Sequence, residues 1–178
     1  MGDPMAIANL LKGKFPQAVK EISEFRGDVT AIVDRAAIVD VCRYCRDTEG
    51  FEFNLLSDIC GIDYYAMDSY QSSQRYGIAY VLYSLLNNQT LRLKIYVPDD
   101  DTTVNTMTDV WPNANWPERE IYDMLGISFK GHPDMRRILM PFDWTGYPQR
   151  KDYPLGYEEV QFSFNYDRVQ AQKPAPKD

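Results

Sequence analysis

The sequence has few of the residues that build metal or redox centres, with one histidine and three cysteines among 178 residues. A lone histidine cannot supply a multi-histidine metal site, and an odd number of cysteines does not suggest a disulfide scaffold. The longest apolar run, about residues 78–83, is far shorter than the roughly 20 residues that span a bilayer. The first residues lack the basic and apolar regions of a signal peptide. We therefore expect a cytoplasmic chain that reaches a membrane only through partners.

Basic residues are also in the minority, with 19 lysines and arginines against 26 aspartates and glutamates and a net charge of -7. A field of this sign repels phosphate backbones, which argues against nucleic acid as a partner. The hydrophobic share of 44% and charged share of 25% are ordinary for a globular protein. The length allows one domain with an appended arm.

Two of the cysteines, Cys42 and Cys45, have a spacing that is also found in metal and redox sites. They share one helical face with Ile38 and Val41, and no second CxxC pair completes a four-ligand set. Buried free cysteine behaves as a small hydrophobic residue. We therefore interpret this pair as part of the core.

The periodicity along the first two thirds of the chain predicts an α+β fold. The alternation in "TLRLKIYV" gives one apolar and one polar face, and "LNNQT" supplies a turn before it, which predicts a hairpin. We expect a ferredoxin-like sandwich, with an antiparallel or mixed sheet and helices on one face, over residues 1–127. The predicted helices are 5–12, 18–25, 35–48 and 103–111, and the predicted strands are 28–34, 51–59, 77–86 and 90–97.

Residues 128–178 differ in character and are predicted to form an extended arm. The last 48 residues contain six of the eleven prolines, which exclude a long helix or a central strand. Nine of the 24 aromatic residues nevertheless fall between Phe129 and Tyr166. Disordered tails are poor in aromatic residues. The arm must therefore bury its rings against its own domain or against another protein.

A charged helix precedes the arm, in "NWPEREIYDMLG". Asn115 is a candidate N-cap with Glu118 in capping-box position, and Gly126 is a candidate stop. Arg119 and Asp123 are i,i+4 neighbours that can form an ion pair. The plainest interpretation is a solvated helix face carrying one modest ion pair.

Two turns that follow share one formula of glycine, ring and proline, followed by paired basic residues. They are "GHPDMRR" and "GYPQRKDYP". An acid–base pair of His132 with Asp123 or Asp134 is one alternative, but no nucleophile elbow, GxGxxG or P-loop accompanies it. A second alternative is a local basic patch that binds anionic lipid or nucleic acid, but nearby aspartates offset its positive charge. The basic residues are Arg136, Arg137, Arg150 and Lys151, and the aspartates are Asp134, Asp143 and Asp152. We favour the interpretation that the two turns hold arginine donors in fixed positions for a protein–protein interface, because arginine pairs well with carboxylates there.

These elements closely resemble the signature of the 30-kilodalton, or C-type, subunit family of proton-pumping NADH:quinone oxidoreductase, respiratory complex I. The resemblance is dense over about forty residues. Tyr147 stands where histidine is common in that family, and Gln149 where leucine is usual. The matching residues are Glu118, Arg119, Glu120, Tyr122, Asp123, Met124, Gly126, Ile127, Gly131, His132, Pro133, Asp134, Arg137, Ile138, Leu139, Gly146, Pro148, Arg150, Lys151, Asp152 and Tyr153.

The resemblance implies a protein without a catalytic, cofactor or metal site of its own. FMN, iron–sulfur clusters, NADH and quinone would be held by other subunits, and the chain would pack against the quinone-site (49 kDa-type) subunit on the cytoplasmic side of the membrane. The polar signature would then be structural and interfacial. Its residues are Glu118, Arg119, Glu120, Tyr122, Asp123, Gly126, Gly131, His132, Pro133, Asp134, Arg136, Arg137, Arg150, Lys151 and Asp152.

Two other interpretations stay open at this point. The chain could be the equivalent subunit of a ferredoxin-driven or F420-driven complex or of a membrane-bound hydrogenase, since electrons would enter through other subunits. It could also be a stand-alone assembly or binding adaptor that uses the aromatic arm.

Overall fold

The structure is a computed structural model that describes residues 4–67, 70–154 and 162–172. The helices are α1 (Pro4–Lys14), α2 (Ile38–Asp47), α3 (Asn115–Leu125) and α4 (Tyr166–Gln172). The strands are β1 (Val19–Phe25), β2 (Asp28–Val33), β3 (Leu55–Asp63), β4 (Tyr76–Ser84), β5 (Gln89–Val97), β6 (Thr103–Asn105) and β7 (Ser128–Lys130). No helix among these residues is long and apolar enough to cross a membrane.

The main sheet has five strands in the order β1-β2-β5-β4-β3. Strands β2 and β5 are parallel, and the other neighbours are antiparallel. The β1–β2 turn consists of Arg26 and Gly27, whose φ angles of 54° and 87° suit a tight hairpin. The β4–β5 pair is the hairpin that the alternating pattern predicts.

The core lies between one face of this sheet and the helices α1, α2 and α3. Tyr80, Leu82 and Leu93 point from the central strands into a buried cluster that includes residues of these helices. The opposite face is partly open to solvent, with Ile62 40% exposed. The predicted α+β sandwich with helices on one face is therefore confirmed.

The two cysteines of α2 are part of this core. Both Cys42 and Cys45 are fully buried and free of disulfide bonds. Burial raises the pKa of the Cys45 thiol to about 12, and it also raises the pKa of Cys42. The thiolate needed for metal binding or redox chemistry is therefore disfavoured, and the interpretation as core residues is confirmed.

Three of the secondary-structure predictions are wrong. Residues 18–25 form strand β1 instead of a helix, because the two-residue turn pairs them with β2. The strand predicted from residue 51 begins at Leu55, since Phe51 and Phe53 fill the core from a turn. The predicted helix 103–111 does not form, because this segment consists of strand β6 followed by a turn.

Along the sequence, helix α3 lies between two short strands, β6 and β7, which pair with each other in parallel. A three-residue pairing across this distance has no local sequence signal, so the sequence does not reveal it. Helix α3 begins directly after a 3-10 turn, Pro112–Ala114, and Ala114 occupies the N-cap position without a side-chain bond. The predicted cap by Asn115 is therefore wrong, whereas the predicted stop at Gly126 is confirmed by its φ of 76°.

Glu118 does not form the predicted capping box but connects α3 to the chain after β6. Its side chain is fully buried. One carboxylate oxygen accepts from the Thr106 hydroxyl at 2.5 Å, and the other from the Met107 amide at 2.6 Å. Burial raises the pKa of Glu118 to about 7, although both hydrogen bonds oppose the rise. The carboxyl therefore carries a proton in the folded chain over a pH range in which it would be ionised when unfolded.

This difference in protonation predicts a pH dependence of stability. Since the folded pKa is above the unfolded value, Glu118 stabilises the chain most at low pH, and this contribution is lost as pH rises from 4.5 to about 7. The loss is about 3 kcal/mol at most, from about 1.4 kcal/mol per pKa unit. Urea unfolding at pH 5.0 and pH 7.5 should therefore show a smaller difference for Glu118→Gln than for the unchanged chain. An equal difference in both proteins would contradict the prediction.

Candidate functional site

The segment after β7 lies back against the domain without forming a helix or strand. We call its residues 131–154 the strap. Its second half is fixed to the end of α3, where the Gln149 amide donates to the Met124 carbonyl at 3.0 Å and the Arg150 Nε to the Leu125 carbonyl at 2.7 Å. The free carbonyls at a helix C-terminus thus become the acceptors for the strap.

Asp123 is the main acceptor for the first half of the strap, although it lies on the helix face that the sequence predicts to be solvated. One of its oxygens accepts from the amides of Ile138, Leu139 and Met140 at 3.0, 2.8 and 2.8 Å. The other accepts from Arg137 at 2.6 Å. Burial opposes ionisation, but these donors together hold the pKa of the Asp123 carboxyl below its usual value.

Arg137 joins the two predicted turns to each other. Besides Asp123, its guanidinium donates to the Gly146 carbonyl at 3.0 Å. It also lies over the ring of Tyr147, 5.4 Å from the centroid. The two Gly-ring-Pro elements are therefore parts of one structure around a single buried ion pair.

The predicted ion pair between Arg119 and Asp123 is wrong. Arg119 instead donates to the backbone carbonyls of Arg136 and Arg137 at 3.0 and 3.2 Å. Arg136 forms an exposed pair with Asp134 at 2.7 Å. The physical reason is that the strap offers Asp123 four donors in a buried site, which one i,i+4 partner on a helix surface cannot match.

His132 fixes the first turn through both nitrogens of its ring. Its Nδ1 accepts from the Asp134 amide at 3.0 Å, so its Nε2 carries the proton and donates to the Asn115 carbonyl at 3.1 Å. Gly131 before it has a φ of 88°, which glycine adopts without strain. This geometry supports a turn-fixing histidine over an acid–base catalyst.

A second buried ion cluster, which sequence reasoning missed, connects the strap to the sheet. The Lys151 amide donates to Asp63 at 2.8 Å, and Asp152 pairs with Arg75 at 2.8 Å. Arg75 also contacts Asp63 and Asp99 at 3.3 and 2.9 Å. Burial disfavours the charge of Arg75, but the hydrogen bonds to Asp63 and Asp152 raise its pKa. The only sequence signal for this cluster was the pair of opposite charges, Asp63 and Arg75, at the two ends of the loop before β4.

Gly126 allows the strap to approach the end of α3. A Cβ atom at this position would collide with the Arg150 guanidinium and the Tyr147 ring. The positive φ is a second reason for glycine here. Tyr147, the position at which this chain departs from the usual histidine, also contacts Tyr122 edge to face.

The strap is fixed through its polar groups but carries several apolar side chains outward. Phe142 is 94% exposed and Leu139 is 60% exposed. In the described part of the arm beyond the strap, Phe162 and Phe164 stack at 5.3 Å while the latter is 84% exposed. Exposed rings on a fixed backbone are typical of a protein–protein interface.

The structure brings six of the fifteen predicted signature residues together at the contact between α3 and the strap, and it leaves others apart. Glu120 is exposed, and so are the side chains of Lys151 and Arg136. Pro133 bounds the first turn and is also exposed. The residues that meet at the α3–strap contact are Arg119, Tyr122, Asp123, Gly126, Arg137 and Arg150. Within the described ranges, no group of three histidine, cysteine or acidic residues could hold a metal ion.

Comparison with known families tests the resemblance directly. The family described as respiratory-chain NADH dehydrogenase, 30 Kd subunit, matches residues 31–159. The chain is 43% identical over 176 residues to the C subunit of NADH-quinone oxidoreductase from Roseiflexus sp., covering 99% of this chain and 98% of the relative. It is 46% identical over 145 residues to the C subunit from Geobacter sulfurreducens, covering 82% and 86%.

Two solved structures are similar in fold. The trypsin-resistant fragment (1-134) of Nqo5 has a TM-score of 0.63 at 28% identity, covering 75% of this chain and 99% of the fragment. A chain of the membrane-bound sulfane sulfur reductase, an archaeal respiratory membrane complex, has a TM-score of 0.72 over 99% of this chain and 97% of its own length. Its identity of 20% shows the fold alone. From the family match and the full-length relatives, the chain belongs to the 30-kilodalton subunit family of the respiratory-chain NADH dehydrogenases.

Proposed function

We propose that the chain is a non-catalytic structural subunit in the hydrophilic arm of a proton-pumping NADH:quinone oxidoreductase. It packs against the quinone-site (49 kDa-type) subunit and supports electron transfer from NADH to quinone. FMN, iron–sulfur clusters, NADH and quinone are held by other subunits. The chain is peripheral, on the cytoplasmic side of the membrane, and is attached to it through its partners.

The observation that carries this proposal is the combination of a fixed backbone with exposed rings. Three amides and one guanidinium on Asp123 hold the strap in one shape, while Phe142 remains 94% exposed. Ordering an interface segment before binding lowers the entropic cost of association. Aromatic side chains presented in this way commonly provide much of the binding energy.

The polar signature supports a structural role over catalysis. The nitrogens of His132 are occupied by backbone groups, and the Asp123 carboxylate is ionised and saturated with donors. Glu118 has a raised pKa, but it is enclosed within the fold by Thr106 and Met107. General acid–base catalysis needs a group that can reach a substrate.

We also propose a division into a globular domain, residues 1–127, and an arm, residues 128–178, whose first three residues pair with β6. The similar Nqo5 structure is itself a trypsin-resistant fragment that corresponds to 75% of this chain. Limited trypsin digestion of the isolated chain tests this division, and the arm should be cut first. Uniform digestion of both parts at one rate would reject it.

The fold likeness to a chain of the sulfane sulfur reductase complex supports one second candidate. In that case the chain would be the equivalent subunit of a related machine, such as a ferredoxin-driven or F420-driven complex or a membrane-bound hydrogenase. Native-gel isolation of the complex, followed by mass spectrometry of its subunits, separates the candidates. A flavin subunit that oxidises NADH supports the main proposal, and a different electron-input subunit supports the second. A chain recovered only as a free monomer or with one transient partner would contradict both and favour a stand-alone adaptor.

The Asp123 site predicts a large effect of a nearly isosteric change. Asp123→Asn leaves Arg137 without its buried carboxylate, which should cost about 3–5 kcal/mol of unfolding free energy in the isolated chain. Assembled complex should fall, while turnover per assembled complex should remain close to normal. Chemical denaturation, native gels and quinone reductase assays measure these three quantities.

Asp134→Asn is the matched control, because it removes the same charge from an exposed pair with Arg136 and should leave the stability of the chain unchanged. Normal assembly of Asp123→Asn with turnover lost would contradict the prediction and indicate a direct role in quinone reduction.

The exposed ring of Phe142 predicts a different pattern from Asp123→Asn, with weaker retention in the complex but no loss of stability in the isolated chain. Phe142→Ala should leave the unfolding transition of the isolated chain unchanged, because the ring is almost wholly exposed. It should weaken retention of the chain in the complex by about 2 kcal/mol or more if the ring is a central contact. Salt-dependent dissociation on native gels measures retention. Phe25→Ala, at an exposed hairpin turn, is the control, and equal behaviour of the two variants would reject the assignment of Phe142 to the interface.

A further inference from the structure

A cavity of about 590 Å³ lies beside the second turn of the strap. Its lining carries aromatic and proline side chains, among them Tyr65, Tyr147 and Tyr153, and its cationic groups are arginines. Protein pockets of this size accept a side chain or a small ligand. Neither the fixing of the strap nor the exposed rings accounts for it.

Two cations at or near this cavity already have carboxylate partners. Arg137 pairs with Asp123 at 2.6 Å. Arg75 pairs with three aspartates, one of which is Asp152 on the cavity lining. Their charges are therefore compensated within the chain.

Arg150 is different, because it lines the cavity without a carboxylate partner among the described residues. Its Nε donates to the Leu125 carbonyl at 2.7 Å, which is the one hydrogen bond of its side chain in that part of the protein. Its guanidinium lies over the rings of Tyr147 and Tyr76, 4.5 and 5.7 Å from the centroids. Among the described residues, the terminal amino groups of this guanidinium have no acceptor.

The position of this guanidinium is fixed before any partner arrives. The bond to Leu125 and the two rings restrict it, and the absence of a side chain at Gly126 leaves room for it. Arginine recognises carboxylates through two parallel hydrogen bonds. A fixed fork loses less entropy on binding than a free side chain does.

We propose that this cavity receives the carboxylate of an aspartate or glutamate from a neighbouring subunit, which pairs in bidentate fashion with Arg150. The inference rests on the proposed function, because it needs the strap to lie at a subunit interface. The aromatic lining favours a protein segment over a free anion, since rings around a charged pair exclude water at interfaces. Arg150 then acts as the specific electrostatic contact, and the exposed rings supply apolar area around it.

The first test uses the unmodified protein and an arginine-directed dicarbonyl reagent. Arg150 should react at least about tenfold more slowly in the intact complex than in the isolated chain, as read by peptide mass spectrometry, because a buried charged pair is shielded from solvent. Equal rates would overturn the proposal. Protection of the isolated chain by inorganic phosphate at millimolar concentration would also overturn it, in favour of a small anion.

The second test identifies the partner group. Arg150→Lys supplies an amine that a carbodiimide can join directly to a carboxylate in contact with it. The expected product links position 150 to an aspartate or glutamate of another subunit. Links only to acidic residues of the same chain, such as Asp152, Glu158 or Glu159, would overturn the proposal, as would the absence of links in an assembled complex. If this variant does not assemble, the reagent test on the unmodified complex decides.

Retention in the complex provides the energetic readout. Arg150→Gln should shorten the lifetime of the chain in the complex by about thirtyfold or more, as expected when one partner of a buried charged pair is removed. Arg43→Gln, at a half-exposed position of α2, should change it by less than about twofold. Equal effects would overturn the inference. A chain found in no large complex would reject the proposed function, whereas an assembled chain with a reactive Arg150 would reject this inference alone.

Discussion

The structure of the signature region depends on one buried carboxylate. Asp123 accepts three consecutive backbone amides and a guanidinium, and each of these donors belongs to the strap. A buried carboxylate is costly unless it is saturated with donors, and a run of free amides is costly unless it finds an acceptor. The strap therefore supplies donors to the buried carboxylate, and the carboxylate supplies an acceptor to the free amides of the strap. The strap can lie against α3 without an apolar core of its own.

This arrangement explains how a segment rich in proline and aromatic residues can be both ordered and exposed. A strap held by apolar burial would use its rings to cover its own domain. Here the backbone and the arginines provide the attachment, through Asp123, the end of α3 and the Arg75 cluster. The rings at Phe142 and Phe164 remain available to other chains.

The parts of this fold that sequence reasoning predicted are those with a local signal. The β4–β5 hairpin has strict alternation and a polar turn, and Gly126 is a helix stop with no competing interpretation. The errors occur where strand pairing decides the structure. Residues 18–25 form a strand because a two-residue turn pairs them with β2, and residues 103–105 form a strand because they pair with β7, which is distant in the sequence.

The candidate site shows the same limit. The family signature identified the residues at the α3–strap contact, but it did not show which partners they have. Asp123 was interpreted as a surface group because charged residues on a helix are usually solvated, and Glu118 was interpreted as part of a capping box. Their burial follows from chain segments that return to the helix from both sides, at Thr106 and at Ile138. A helical wheel contains no information about such segments.

The pairing of β6 with β7 has a consequence for the path of the strap. Only three residue pairs join these strands, and the strap begins directly after the last of them. Since successive residues of a strand face opposite sides, a slip of one position would turn the exit of the chain to the other side. The amides of residues 138–140 would then no longer converge on one oxygen. This short ladder therefore sets the direction in which the strap leaves β7.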